Sequence, residues 1–245
     1  MAIGTGIEWT EATWNPATGC DKVSPGCKNC YAETLSARLQ KMGQEKYKNN
    51  FVYTEHPKDI ETPLKWKKPK MIFVNSMSDL FHEKATEHFI WAVFETMLKA
   101  NHHTYQILTK RPERMKKFVQ NFTFNKQLKL LPNHIWLGVS VENQHYTDRI
   151  DILREVKCQI RFVSFEPLLG EIYPKLRDIN WVIVGGESGT NARPMEEDWV
   201  KNIRYACRIT NTAFFFKQWG GRYPKEKGNL LDGKQYLEFP KVHND

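Results

Sequence analysis

The run Met71-Ile72-Phe73-Val74-Asn75-Ser76-Met77-Ser78-Asp79 joins four apolar residues directly to a polar tip. A short, continuous apolar run rich in Val, Ile and Phe is typical of a strand buried on both faces of a parallel sheet. In the segment that follows, from about residue 84 to 100, Phe89, Val93 and Met97 recur at helical spacing. A strand, a polar tip and a helix in this order predict a right-handed βαβ unit of an α/β protein.

The same unit repeats toward the C-terminus. The further strands predicted from apolar runs are Tyr105–Leu108, Ile135–Val139, Arg161–Phe165, Trp181–Val184 and Ala213–Phe216, with a weak strand near Ala12–Asn15. Helical patterns recur at about 146–156 and 199–210. Six or seven βα units are fewer than the eight of a complete barrel, which takes about 250 residues. We therefore expect a partial (open) TIM-like (β/α)6-7 barrel of parallel strands, with a flat doubly wound sheet as the alternative.

We expect residues 1–245 to form a single domain, because no linker between the predicted units is long enough to separate two. Its parts are a cysteine loop at 16–32, an insertion at about 34–70, the βα units at about 71–219 and a C-terminal tail at 220–245. Within the tail, the run Leu230-Leu231-Asp232-Gly233-Lys234 predicts a hairpin with a type I′ turn.

The chain of 245 residues has a formal net charge of +8, with basic clusters at 65–70, 110–117 and 222–227. Cations with interleaved aromatic residues can hold a polyanion and stack bases, so nucleic-acid contact is one interpretation and a solvated surface is the other. No apolar run approaches the roughly 18 residues that a membrane span needs. Five cysteines, three of them clustered, fit a reducing compartment better than a disulfide framework. We expect a cytoplasmic protein without membrane contact.

Cys20, Cys27 and Cys30 form a C-x6-C-x2-C motif, and no fourth cysteine or histidine lies close enough in sequence to complete a set of four. A structural zinc almost always takes four protein ligands. An iron–sulfur cluster of four irons held by three cysteines keeps one iron without a protein ligand, free to bind a reactant. The count of three therefore favours a catalytic cluster. Histidine pairs at ligand spacing are lacking, so metal binding by histidine is not expected.

The predicted strands end in polar residues, and in parallel α/β folds these ends meet in one crevice. Buried carboxylates and ammonium groups are costly unless they are paired or bound to a ligand, so their recurrence at successive tips predicts a ligand site. Glu142, Glu166 and Glu187 are candidates to accept hydrogen bonds from hydroxyl or amino groups. Lys110 and Lys217 are candidates to meet a carboxylate or phosphate. The sequence has no G-x-G-x-x-G fingerprint after these strands and no Walker lysine motif.

Several motifs resemble those of a phage- and prophage-associated family of unknown function. They are Ile7-Glu8-Trp9-Thr10, Trp14-Asn15-Pro16, Gly19-Cys20, Cys27-Lys28-Asn29-Cys30-Tyr31-Ala32, Asn75 to His82, Leu108 to Pro112, Gly185 to Gly189 and Lys217-Gln218-Trp219-Gly220. The family is in turn similar to a divergent branch of the radical S-adenosylmethionine (radical SAM) superfamily, on its photoproduct-lyase side. The usual superfamily motif is C-x3-C-x2-C, whereas the first gap here is six residues.

The resemblance implies that Cys20, Cys27 and Cys30 hold a 4Fe-4S cluster whose open iron binds S-adenosylmethionine. One electron would then cleave the sulfonium and give a 5′-deoxyadenosyl radical, which abstracts hydrogen from a substrate. The residues expected to bind the cofactor are Ser76, Ser78 and Asp79 near its amino end, Glu142 and Asn143 near its ribose, and Lys110. The residues expected to be catalytic are Glu166, Glu187 and Lys217.

The favoured substrate is a base in DNA or RNA, for modification or repair, because the charge is basic and the resemblance is to phage proteins. An electron donor such as a flavodoxin or ferredoxin and a partner protein encoded nearby are further expectations. One alternative is a non-catalytic nucleic-acid-binding module whose three cysteines and a distant histidine or aspartate hold zinc. The other is a radical enzyme that acts on a small molecule.

Overall fold

The computed structural model describes residues 5–223 and 227–242. A seven-stranded sheet forms its centre, and every pair of neighbouring strands is parallel. The strands, whose spatial order follows the chain, are β1 (Ala12–Trp14), β2 (Met71–Val74), β3 (Thr104–Thr109), β4 (Leu131–Ser140), β5 (Cys158–Phe165), β6 (Trp181–Gly185) and β7 (Ala213–Gln218). A doubly wound sheet reverses its strand order at a switch point, and this sheet does not. The predicted partial TIM-like barrel is therefore confirmed.

The helices of the described chain connect these strands on the outside of the sheet. They are α1 (Tyr31–Lys41), α2 (Glu87–Lys99), α3 (Pro112–Asn125), α4 (Asp148–Arg154) and α5 (Glu197–Thr210). The predicted helical segments agree with α2, α4 and α5. Thr86 caps the start of helix α2, since its Oγ1 accepts a hydrogen bond from the Phe89 amide at 3.2 Å, as an N-cap does. The connection between β5 and β6, residues 166–180, contains no helix.

The two faces of the sheet pack differently because side chains alternate along a strand. Outward-facing residues such as Ile72, Ile107 and Val139 join the apolar faces of the helices in the main core. Inward-facing aromatic residues form a second cluster around Trp181. Its ring lies 6.0 Å from Trp9 and 5.8 Å from Trp136 between centroids. Rings from well-separated strands meet there because the sheet is curled, and together they fill the lower part of the half-barrel.

The segments outside the repeat close the two edges of the sheet. Within the insertion, Thr54–Glu55 pairs antiparallel with Ala17–Thr18, next to β1. At the other edge, the Phe216 amide of β7 donates to the Tyr236 carbonyl at 2.8 Å, and Phe239 stacks on Trp181. Leu230–Leu231 and Lys234–Gln235 form the predicted hairpin. Positive φ at Asp232 (50°) and Gly233 (72°) confirms its type I′ turn.

No helix among the described residues has the length and apolar character needed to cross a membrane. The proposed division into cysteine loop, insertion, βα units and tail stays a prediction. Residues 1–4, 224–226 and 243–245 of that division lie outside the described residues.

The packing of the inner face of the sheet requires that Gly138 of β4 has no side chain. A Cβ there would lie 2.6 Å from the ring of Phe162 on β5. We expect Gly138→Ala to lower the free energy of unfolding by about 1–3 kcal/mol, because an added methyl group overpacks the aromatic cluster. Denaturant unfolding measures the change. Gly170→Ala is the matched control, since its Cβ would meet only Asn143 at 3.6 Å; equal losses in both variants would contradict this account.

Candidate active site

A cavity of about 1200 Å³ opens at the carboxyl ends of the strands. The ends of β1 to β7, the cysteine loop and residues 5–9 line it. The sequence-predicted site residues that it brings together are Cys30, Ser76, Lys110, Glu166, Glu187 and Lys217. The other predicted site residues, which do not line it, are Cys20, Cys27, Ser78, Asp79, Glu142 and Asn143.

The cavity floor is apolar, and polar groups stand above it. Trp9 and Phe73 line the floor, with ring centroids 4.7 Å apart. Above them, Ser140 of β4 and Ser164 of β5 are register partners. Ser164 Oγ and Trp9 Nε1 are buried and have no hydrogen-bond partner among the described residues. Buried polar groups are rarely left without partners, so these two atoms indicate where a ligand would supply them.

Charged side chains also line the cavity. Lys217 Nζ lies 2.6 Å from Glu166 Oε1. A Cβ at Gly185 would come within 2.8 Å of the same oxygen, so glycine leaves room for this pair. Lys110 also lines the cavity, and its ammonium has no ion-pair partner in the described part of the chain. Lys110 is therefore the group best suited to an anionic ligand.

Asp79 accepts hydrogen bonds from the tip of β3. Thr109 Oγ1 donates at 2.7 Å and the Lys110 amide at 3.1 Å. Arg111 Nη1 forms an ion pair with Asp79 at 3.1 Å. The same nitrogen lies 3.7 Å from Cys20 Sγ, and Arg111 Nη2 donates to the Asp21 carbonyl at 3.4 Å. Asp79 thus acts within the protein by fixing the arginine that holds the start of the cysteine loop.

Glu142 attaches the middle of the loop. Its side chain is 0% exposed and pairs with Arg149 Nη1 at 3.0 Å. Its other oxygen accepts from the Gly26 amide at 3.5 Å. Arg149 also donates to the Ser140 carbonyl at 2.8 Å and lies over the ring of Tyr146. The carboxylate therefore connects a strand tip to the loop.

Glu187 attaches the end of the loop in the same way. It accepts from Asn29 Nδ2 at 2.9 Å and forms an ion pair with Arg193. Arg193 Nη2 also donates to the Pro25 carbonyl at 3.0 Å. Burial raises the pKa of Glu187, but the hydrogen bonds from Arg193 and Asn29 outweigh it, so the pKa lies below its ordinary value. Glu187 is thus held as a carboxylate.

A histidine holds the loop at a further point. His82 Nδ1 accepts from the Lys84 amide at 3.1 Å, and Nε2 lies 3.2 Å from both the amide and the carboxylate of Asp21. The ring stacks on Tyr53 with 4.3 Å between centroids. Burial and the nearby Arg111 lower the pKa of His82. The sequence analysis gave no role to this residue.

The remaining predicted residues form hydrogen bonds within the protein. Ser78 Oγ donates to the Ala17 carbonyl at 3.0 Å, and Ser76 Oγ to Asn15 Oδ1 at 3.2 Å. Asn143 Oδ1 accepts from the His145 amide at 3.0 Å. Their predicted roles toward a cofactor stay predictions, as do those of Asp79 and Glu142 and the predicted catalytic role of Glu187. Sequence reasoning missed Arg149, Arg193 and Asn29. The signal that could have found them is that a buried carboxylate needs a cation or a hydrogen-bond donor beside it.

The three loop cysteines are free thiols of intermediate exposure. Burial and Asp79 raise the pKa of Cys20 to about 11, although Arg111 opposes them. Among residues 5–223 and 227–242, no group of three or more His, Cys, Asp or Glu side chains is gathered as the ligands of one metal ion would be. In a four-iron cluster each cysteine binds a different iron, which spreads the sulfurs more widely. A set of three thiols on one loop beside a cavity fits such a cluster.

These features define a partial α/β barrel with a cysteine loop held over a cavity at its carboxyl edge. Residues 4–240 match a family described as a protein of unknown function, DUF5131. The chain belongs to this family. No curated protein matches it.

Among solved structures, the chain is similar to spore photoproduct lyase complexed with dinucleoside spore photoproduct, at 12% sequence identity and a TM-score of 0.45. The alignment covers 86% of this chain and 64% of the lyase chain. The chain therefore spans less than two thirds of that structure.

The Glu142–Arg149 pair should be costly to break. Glu142→Ala leaves a buried guanidinium without its carboxylate, so we expect a loss of about 3–5 kcal/mol in the free energy of unfolding. Urea unfolding measures it. Glu45→Ala, which breaks an exposed pair with Lys48, is the control and should leave the midpoint unchanged. A loss below 1 kcal/mol for Glu142→Ala would mean that the pair does not hold the loop.

The lowered pKa of Glu187 predicts a pH-dependent contribution to stability. The ionised form is favoured in the folded state, so the stabilisation is fully present above the ordinary glutamate pKa and is lost as pH falls through the lower folded pKa. We expect Glu187→Gln to be less stable than the wild type at pH 7 and this difference to shrink below about pH 4. Unfolding midpoints across this range measure it. Exposed Glu83→Gln is the control; a difference that persists unchanged at low pH would contradict the prediction.

Proposed function

We propose that the chain is a radical S-adenosylmethionine enzyme whose Cys20, Cys27 and Cys30 hold a 4Fe-4S cluster. The observation that supports it most is the attachment of a three-thiol loop to three strand tips, beside a cavity with unpartnered polar groups. A structural metal site needs no such cavity. When bound, the cluster and S-adenosylmethionine supply one-electron cleavage of the sulfonium and abstraction of a hydrogen atom.

Residues of the chain would bind the cofactor, orient the substrate and exclude water. Cys30 lines the cavity, so this end of the loop faces the ligands. Lys110 would pair with the carboxylate of S-adenosylmethionine, and Ser164 would donate to a polar atom deeper in the cavity. The Glu166–Lys217 pair lies on the part of the wall formed by β5 and β7 and would orient the substrate. The apolar floor would exclude water from the reacting groups.

A base in DNA or RNA remains the proposed substrate. At about 1200 Å³ the cavity is larger than sites that hold one small molecule, commonly about 300–1000 Å³. Tyr31, Tyr47 and Tyr223 lie on its wall and offer faces for stacking. Arg222 lies over Tyr223, and residues 224–226 of its basic cluster are outside the described residues. A flipped base entering the cavity would place its phosphates near this rim.

The basic cluster at 65–70 does not contribute to this surface. Lys70 directly precedes β2 and lines a pocket at the opposite, amino edge of the sheet. The support for a nucleic-acid substrate therefore comes from the rim of the cavity and not from the total charge. The electron donor, the partner protein, the phage association and the cytoplasmic location stay predictions.

Anaerobic reconstitution with iron and sulfide tests the proposal. We expect a brown protein with about four irons per chain that forms 5′-deoxyadenosine from S-adenosylmethionine when dithionite is added. Cys27→Ala should lose both the iron and the product. Cys158→Ala, at a buried cysteine outside the loop, should retain both.

The alternatives give different results in the same assay. A colourless protein with one zinc and no product would support the metal-bound binding module and contradict the radical enzyme. Product formation without salt-dependent binding of oligonucleotides would favour a small-molecule substrate.

A further inference from the structure

We propose that Arg111 is a positioning residue that donates a hydrogen bond to the sulfur of Cys20 and thereby raises the reduction potential of the cluster. This inference rests on the proposed function, because it concerns the cluster that the cysteines would hold. It gives Arg111, which the sequence analysis placed only in a basic cluster, a defined role in the site.

The three loop cysteines differ in their contacts. Arg111 Nη1 lies 3.7 Å from Cys20 Sγ, within hydrogen-bond distance for sulfur. Cys27 Sγ has the neutral hydroxyl of Ser24 at 3.8 Å. Within the described residues, Cys20 is the one loop thiol at hydrogen-bond distance from a charged donor. The iron bound by Cys20 would therefore have a ligand that accepts a charged hydrogen bond, unlike the irons bound by Cys27 and Cys30.

The guanidinium is fixed by its other contacts. Arg111 is 8% exposed, and its Nη1 is shared between Asp79 and Cys20. Asp79 is itself held by Thr109 Oγ1 at 2.7 and 2.9 Å. Arg111 Nη2 contacts the Asp21 carbonyl, next to the cysteine that Nη1 meets. An arginine with this many fixed partners cannot swing away when the sulfur becomes a cluster ligand.

The direction of the effect follows from charge. Reduction adds an electron to the cluster, and a hydrogen bond from a cation to a ligating sulfur stabilises the more negative state. The buried position weakens screening by solvent. The carboxylate of Asp79, which shares Arg111 Nη1 with Cys20, acts in the opposite sense. Arg111 offsets it, so removing Arg111 should make the cluster harder to reduce.

The test is a redox titration of reconstituted protein, followed by electron paramagnetic resonance. We expect Arg111→Met to favour the oxidised cluster at least tenfold, equivalent to a potential lower by about 59 mV for one electron. Arg111→Lys keeps the charge but not the forked donor, and we expect a smaller decrease. Arg114→Lys is the matched control, since Arg114 lies on the same helix and donates to the His82 and Ala85 carbonyls; its potential should not change.

A spectroscopic measurement makes the test independent of how well a variant folds. With ¹⁵N-labelled arginine, the reduced wild-type cluster should show a weak nitrogen coupling that Arg111→Lys removes and Arg114→Lys retains. Normal iron content with an unchanged potential in Arg111→Met, or no nitrogen coupling in the wild type, would overturn the proposal. A wild-type protein that binds no cluster would instead contradict the proposed function itself.

Discussion

The cysteine loop depends on three carboxylate–arginine pairs, two buried and one half-buried, and the site depends on the loop. Asp79–Arg111, Glu142–Arg149 and Glu187–Arg193 each begin near a different strand end. They reach the loop at its start, its middle and its end. The loop has a short strand at Ala17–Thr18 and one 3-10 turn at Pro25–Cys27, and the Cys20 amide donates to the Phe51 carbonyl at 3.1 Å. The rest of the loop has little regular structure, so the pairs help to set where the thiols lie.

Buried ion pairs are a poor source of stability, because desolvation offsets most of the attraction between the charges. Apolar side chains of similar volume would pack as well, but they would not distinguish one position of the loop from another. A guanidinium donates along fixed directions, so Arg193 can meet Glu187 and the Pro25 carbonyl at once. We interpret the pairs as setting the position of the loop. The same reasoning accounts for why each carboxylate has an arginine and not a lysine.

The sequence predicted the barrel well and the site only in part. Continuous apolar runs mark doubly buried strands, so all the strands of the sheet could be predicted, and the strand ends located the cavity. The role of each tip residue could not be obtained in this way. Asp79 and Arg111 are 32 residues apart, and no local periodicity relates them. Residue type alone makes Glu142 and Glu166 equivalent, yet Glu142 contacts the loop and Glu166 lines the cavity.

The end of β3 separates a loop-holding residue from a cavity-lining one by the alternation of side chains along a strand, whereas Glu187 has both positions. At the end of β3, Thr109 binds Asp79 outside the cavity, whereas Lys110 points into it. The two ends of the loop differ in the same way: Cys20, at the start, contacts Arg111 outside the cavity, and Cys30, at the end, lines the cavity. A cluster with an open iron must be held firmly on one side and remain accessible on the other. The end of β3 meets both requirements of the proposed cluster with two consecutive residues, Thr109 and Lys110.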